Sequence, residues 1–257
     1  MTDITYVYDT GTDKGVDPEA VAEFFTAADT GRHTCVVTTL ALYPNAVNWR
    51  RANAEFPDSS ADALHLACVS GHRHIAEILL DAGASVDSLN WGDTRSTSLQ
   101  FAAQGTYEDL VELLLERGAN PDLHSHPGFA PLFFAACSGN TAIVGMLLRK
   151  GGNPDLQAED GTPPLGFAAM NNRPEAVRLL LQYGARTDLK NNRGEDVIEA
   201  ARATAGDDMA AFIVKCARED GHLLTEAAEF NQAIADMCNG TKAPMTLKKP
   251  LRLKAGL

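Results

Sequence analysis

The feature that most constrains what this chain can fold into is a segment that returns every 33 to 35 residues. Leu-Leu-Asp-Ala-Gly-Ala at 79–84 recurs as Leu-Leu-Glu-Arg-Gly-Ala at 114–119, Leu-Leu-Arg-Lys-Gly-Gly at 147–152 and Leu-Leu-Gln-Tyr-Gly-Ala at 180–185. A fixed period of this length describes stacked supersecondary units, none of which can bury its apolar face without a neighbour. Most of the chain is therefore scaffold, and any function sits on its surface.

Upstream of each glycine lies a second recurrent block, anchored by Leu64, Leu99, Leu132 and Leu165, with Ile198 in a fifth, degenerate copy. Each anchor is followed by two small residues, Ala67-Cys68, Ala102-Ala103, Ala135-Ala136 and Ala168-Ala169, which let one helix lie close against the next. A short turn such as Ser70-Gly71 or Ser138-Gly139 leads to a second apolar run at helical spacing, for example Ile75, Ile78 and Leu79. Gly83, Gly118, Gly151 and Gly184 then stand where a left-handed helix cap is needed. Each unit reads as helix, turn, helix, cap and extended finger.

These blocks resemble the ankyrin repeat family, whose signature of about 33 residues carries Thr-Pro-Leu-His-x-Ala. The matching residues are Ala63-Leu64-His65-Leu66-Ala67, Ala130-Pro131-Leu132-Phe133-Phe134-Ala135 and Gly161-Thr162-Pro163-Pro164-Leu165-Gly166-Phe167-Ala168, with Gly71-His72 at the family's Gly-His turn. The resemblance implies an all-α ankyrin repeat solenoid. It has about four clear repeats within 58–218, a divergent N-terminal repeat over 17–57 and an N-terminal extension over 1–16. At the family's histidine position stand His65, Gln100, Phe133 and Gly166. Three of the four units thus lack the stiffening ring, and somewhat softer fingers are expected. In the N-terminal repeat the finger is expected to include Trp49, Arg50 and Arg51.

The stripe Leu223, Leu224, Ala227, Phe230, Ala233 and Met237 reads as a capping helix over 219–240, since a solenoid needs an atypical terminal unit on its last open face. Residues 241–257 hold five basic residues, two prolines and no acid, so the chain's net charge of −12 divides into a basic tail and a body of −17 over residues 1–240. An acidic body disfavours nucleic acid and anionic membrane and steers basic partners. The tail either presents Leu247, Leu251 and Leu253 to a partner, lies across the acidic solenoid, or is a plain terminus. Tyr6 and Tyr8 alternate with Val7 as in a strand, for which pairing with the tail is one option.

No apolar run approaches the length of a membrane span, and the start lacks the basic and apolar regions of a signal peptide. Five scattered cysteines without Cys-x-x-Cys read as reduced thiols, which points to the cytoplasm. There is no Gly-x-Ser-x-Gly, no phosphate loop and no dinucleotide fingerprint. His72 and His74, two apart at the start of a helix, diverge around it, and His124 and His126 in a finger lack a nearby third ligand. No cofactor, metal or catalytic residue is expected.

In the resembling family the fingers and inner-helix ends form a concave face that holds protein partners. On this chain those positions are Trp91, Arg95, Ser96, His126, Phe129, Asp160 and Arg193 in the fingers, and Gln104, Tyr107, Cys137, Met170 and Asn171 at the helix ends, beside Val69. Trp91 and Phe129 either serve as aromatic anchors of an interface or fold each onto a neighbouring finger. The expected function is non-catalytic binding of another protein, as scaffold or inhibitor, by a chain that is monomeric on its own. The alternative is a self-regulated switch in which the basic tail occupies the face until displaced.

Overall fold

A computed structural model of the chain describes residues 6–9, 15–53, 56–90, 95–125 and 128–219. It opens with strand β1 (Tyr6–Asp9), then helices α1 (Pro18–Thr30) and α2 (His33–Leu42), a 3-10 turn at Pro44–Asn48, and the hairpin β2 (Arg50–Asn53) and β3 (Phe56–Asp62). Five helix pairs follow: α3 (Ala63–Val69) with α4 (Arg73–Asp81), α5 (Ser98–Gln104) with α6 (Glu108–Glu116), α7 (Pro131–Ser138) with α8 (Thr141–Arg149), α9 (Pro164–Met170) with α10 (Pro174–Gln182), and α11 (Val197–Ala205) with α12 (Asp207–Glu219).

The first helix of each pair packs on the first helix of the next, and the second helices form a parallel outer layer. The small pairs make this possible, since Ala67, Cys68, Ala102, Ala103, Ala135, Ala136, Ala168 and Ala169 are all fully buried. One continuous apolar core runs from Val21 in α1 to Cys216 in α12. Helix starts are set locally. Asp62, Thr97, Asn140 and Asp196 accept a backbone N–H of their own first turn, and Pro131, Pro164 and Pro174 occupy the first helical position. Gly83, Gly118, Gly151 and Gly184 take φ of +95°, +87°, +88° and +87°, the left-handed conformation expected of them.

Neighbouring units are stapled at the turns between their helices. The ring of His72 lies over Gly31, that of Tyr107 over Gly71, and the aliphatic part of Arg173 over Gly139, each so close that a Cβ on the glycine would meet it at 3.0, 2.7 and 2.6 Å. His72 Nε2 also lies 2.9 Å from the Asp29 carbonyl, and Arg173 Nε donates to the Cys137 carbonyl at 3.1 Å.

The N-terminal unit departs from the expected repeat. Its helix pair is regular, but Trp49 is not in a finger. It is fully buried, with its ring 5.6 Å from Phe24 and 5.5 Å from Tyr43. The 3-10 turn carries the chain back under α1 and α2, so the large apolar ring completes the core of this unit. Arg50 and Arg51 lie in β2, the centre of a three-stranded antiparallel sheet in the order β1-β2-β3. The strand read at Tyr6 and Tyr8 is present, and its partner is β2, with Tyr6 opposite Asn53 and Asp9 opposite Arg50. The tail over 241–257 and the capping segment beyond α12 lie outside the described residues.

Candidate functional site

The face formed by the first helices and the fingers carries two parallel columns of side chains. Val69, Gln104, Cys137 and Met170 stand at the helix ends, one per repeat. Three residues earlier, on the same side of each helix, stand Leu66, Phe101, Phe134 and Phe167. Val69 and Met170 are exposed at 48% and 37%, while the three phenylalanines are half-buried. The column of Gln104, Cys137 and Met170 is read directly from the repeat. The phenylalanine column is not among the sequence-derived positions, although its signal is there: Phe101, Phe134 and Phe167 recur at intervals of 33 residues.

The fingers are built by a recurring five-residue turn. Ser125 N–H donates to the Phe129 carbonyl at 3.1 Å, Ala158 N–H to Thr162 at 3.2 Å, and Asn191 N–H to Glu195 at 2.9 Å. The fourth residue of each turn is a glycine with positive φ, Gly128, Gly161 and Gly194. Successive fingers are joined by a ladder of carboxylates at their bases. Asp87 accepts the Asn120 N–H at 3.0 Å, Asp122 that of Asn153 at 2.8 Å, and Asp155 that of Arg186 at 2.8 Å. In the last finger Asp188 instead accepts the Arg186 guanidinium, at 2.8 and 2.9 Å. That hydrogen bond and charge hold the Asp188 carboxyl below its usual range.

The family's histidine position behaves differently from repeat to repeat. The His65 ring spans from the Asp62 carboxylate, 2.8 Å from Nδ1, to the Ser88 carbonyl, 3.0 Å from Nε2, and so ties helix to finger. Burial alone would raise Asp62. The neighbouring His65 charge and the hydrogen bonds from His65 and Ser88 outweigh it and hold the carboxyl below its ordinary range. Gln100 reproduces the link that the loss of histidine was expected to remove. Its Oε1 accepts the Thr97 N–H at 2.6 Å and its Nε2 donates to the Phe129 carbonyl in the next finger. Phe133 substitutes packing for hydrogen bonding, with its ring 5.6 Å from both Phe129 and Phe167.

The remaining sequence-derived positions separate into three groups. Asp160, Met170 and Arg193 come together, lining with Glu195 and Thr204 a cleft of about 180 Å³ between the last two fingers and α9 and α11. Asn171 stands beside it at the end of α9 and donates back to the Phe167 carbonyl at 2.8 Å. Phe129 and Tyr107 are structural contacts as well as surface. Phe129 is half-buried, packed on Phe133, Phe134 and Phe167, and Tyr107 fills the space between Gly71 and Gly105. Arg95 and Ser96 close the base of the enlarged second finger, where Asn90 N–H donates to the Ser96 carbonyl at 2.9 Å. Trp91 and His126 lie outside the described residues.

Among the described residues no group of three or more His, Cys, Asp or Glu side chains is placed to hold a metal ion, and no helix is long and apolar enough to cross a membrane. Burial pushes the Cys68 thiol well above its usual range, and burial with the Glu23 charge raises Cys35.

Helix pairs stacked through small residues, with fingers laddered along one edge, define a helical repeat protein. A family model described as ankyrin repeats (3 copies) matches residues 24–125, 99–191 and 132–222, and the chain belongs to the ankyrin repeat family. Similar proteins include the Ankyrin repeat and KH domain-containing protein mask of Drosophila melanogaster, 34% identical over 85 residues, which are 33% of this chain and 2% of that protein. The Palmitoyltransferase ZDHHC13 of Homo sapiens is 34% identical over 80 residues, which are 31% of this chain and 13% of that protein. The chain thus spans only a small part of the relatives it matches, and the likeness is one of repeats.

Proposed function

We propose that this chain binds another protein across the finger side of its solenoid and performs no chemistry of its own, serving as a scaffold or an inhibitor. Ankyrin repeats generally mediate protein-protein interaction, and the observation that carries the reading here is the pair of columns. Phe101, Phe134, Phe167 and Cys137 are half-buried beside the exposed Val69, Gln104 and Met170, and lead into the cleft at Asp160 and Arg193. Aromatic and thioether side chains in a continuous strip, rimmed by polar groups, are what a protein interface is made of. The acidic body favours a partner with a basic surface. A Cys137→Arg, Met170→Asp variant changes one half-buried and one exposed side chain at the helix ends. Partner capture from the native host's extract, with folding checked by circular dichroism, should yield a stoichiometric protein with the wild type and none with the variant. Equal recovery would remove this face from the interface.

A second reading rests on the tail. Leu247, Leu251 and Leu253 alternate with Lys248, Lys249, Arg252 and Lys254, a composition complementary to an apolar strip on an acidic body. In that reading the tail occupies the face in the resting protein. Deleting 241–257 would then raise affinity for the recovered partner, and unchanged affinity excludes self-regulation while leaving the first reading intact.

A further inference from the structure

The second helices form the outer layer of the array, and all but one of them carry charge. Counted from the helix start, the fifth and ninth positions are Glu77 and Asp81 in α4 and Glu112 and Glu116 in α6, while α8 and α10 carry Arg149 and Arg178 there. In α2 the same positions are Val37 and Ala41, and among the described second helices α2 alone holds no Asp, Glu, Lys or Arg. Thr34, Val37, Thr38, Ala41 and Leu42 follow the spacing by which a helix lays one face against another. All five are exposed, Val37 at 40% and Leu42 at 74%. Val36 and Thr39 on the other side of α2 are already buried, so the stripe is a second contact face and not the core face turned outward.

We infer that two copies of the chain pair through this face, α2 against α2 in antiparallel order. Charge favours a second copy over an unlike partner. A chain of −12 repels its own copies, and α2 is the outer helix on which they can touch without bringing like charges together. A basic partner would find nothing there to read. The charges beside the stripe are engaged within each copy, since Arg32 lies 3.4 Å from Glu23, and Glu77 and Asp81 lie 3.7 and 2.8 Å from Arg117. The stripe also complements itself. With a two-fold axis between Val37 and Thr38, each Val37 meets the other copy's Thr38 and each Thr34 the other's Ala41. These side chains are short enough for close approach, and the two helix dipoles are opposed. Burial leaves the central hydroxyl satisfied, because Thr38 donates to the Thr34 carbonyl of its own helix at 2.9 Å.

A helix of 10 residues covers less than the ~800 Å² per partner of a standard interface. The pair therefore forms on the order of tens of micromolar, where the sequence reading expects a monomer. The columns of the first helices lie in the other layer, so a pair presents two open finger faces, and a partner with two binding sites would gain avidity.

Sedimentation equilibrium of the full-length chain from about 1 to about 200 µM, a range that brackets the expected constant, tests this. The wild type should rise from the mass of one chain towards that of two. Val37→Glu, Ala41→Glu gives α2 the residues that α6 carries at the same positions, and it should stay at the mass of one chain, with its fold checked by circular dichroism. Gln182→Glu, at the ninth position of α10, should pair as the wild type does. A wild type that remains monomeric at the highest concentration would overturn the pairing. So would a dimer that survives Val37→Glu, Ala41→Glu, or one that is lost in Gln182→Glu, since either would move the contact to another face. Partner capture tests the finger side separately, and neither result decides the other.

Discussion

At the scale of single residues, the fingers rest on backbone geometry that few side chains can share. Gly161 and Gly194 occupy the same place in consecutive finger turns, both with φ of +79°. A Cβ on Gly161 would meet Asn191 Cα at 2.9 Å, whereas nothing lies within 4 Å of one on Gly194. Gly194→Ala should therefore cost only the left-handed backbone, about 1 kcal/mol. Gly161→Ala must also push the next finger away and should cost about 1–2 kcal/mol more. Urea unfolding of the two variants checks the difference, and equal costs would mean that the fingers give way freely. The Asp62, His65 and Ser88 network supplies a second residue-scale expectation. Asp62 has a folded pKa below its unfolded one, so its contribution is present above the ordinary carboxylate range and is lost as pH falls below about 4 through the lower folded value. Thermal unfolding between pH 7 and 3 should fall more steeply for the wild type than for Asp62→Asn. Parallel curves would show that other carboxylates govern acid stability.

At the scale of elements, most of the repeat was legible because each element announces itself locally. Gly83, Gly118, Gly151 and Gly184 mark helix ends that only a left-handed residue completes, and pairs such as Ala135-Ala136 mark where helices touch. What escaped sequence reading depends on which element comes to lie beside which. Gln100 was read as the loss of a histidine, yet an amide of similar reach makes the same crossing to the Phe129 carbonyl. The sequence reading places Trp49 with Arg50 and Arg51 in the finger of the N-terminal repeat. Only the 3-10 turn before it shows that the ring is carried back against Phe24. The ladder of Asp87, Asp122 and Asp155 has the period of the repeat, but its meaning appears only when each carboxylate is seen to accept an amide from the following finger. Within the site, Asp160, Met170 and Arg193 do converge, while Phe129 and Tyr107 are in large part packing groups. Asp122→Ala should leave the Asn153 N–H without its carboxylate and cost about 1 kcal/mol. Loss of exchange protection in that variant should be confined to the finger of Asn153. Protection lost evenly along the array would contradict a local tie.

At the scale of the whole molecule, two unlike quantities decide how the proposed interface works. The columns of Phe101, Phe134 and Phe167 and of Cys137 and Met170 offer area that salt does not weaken, so they set how long a partner stays. The charge of −17 on residues 1–240 acts at a distance, but it is screened beyond a Debye length of about 8 Å at physiological ionic strength. It therefore governs how fast a basic partner arrives more than how tightly it is held. These roles separate in kinetics. With the partner recovered by capture, raising salt from 0.05 to 0.5 M should lower the association rate about tenfold or more while the dissociation rate changes little. The Cys137→Arg, Met170→Asp variant should show the opposite pattern, with its main effect on dissociation. An association rate that ignores salt would mean that the partner is not read by charge, and that the acidity of this solenoid serves its solubility and not its recognition.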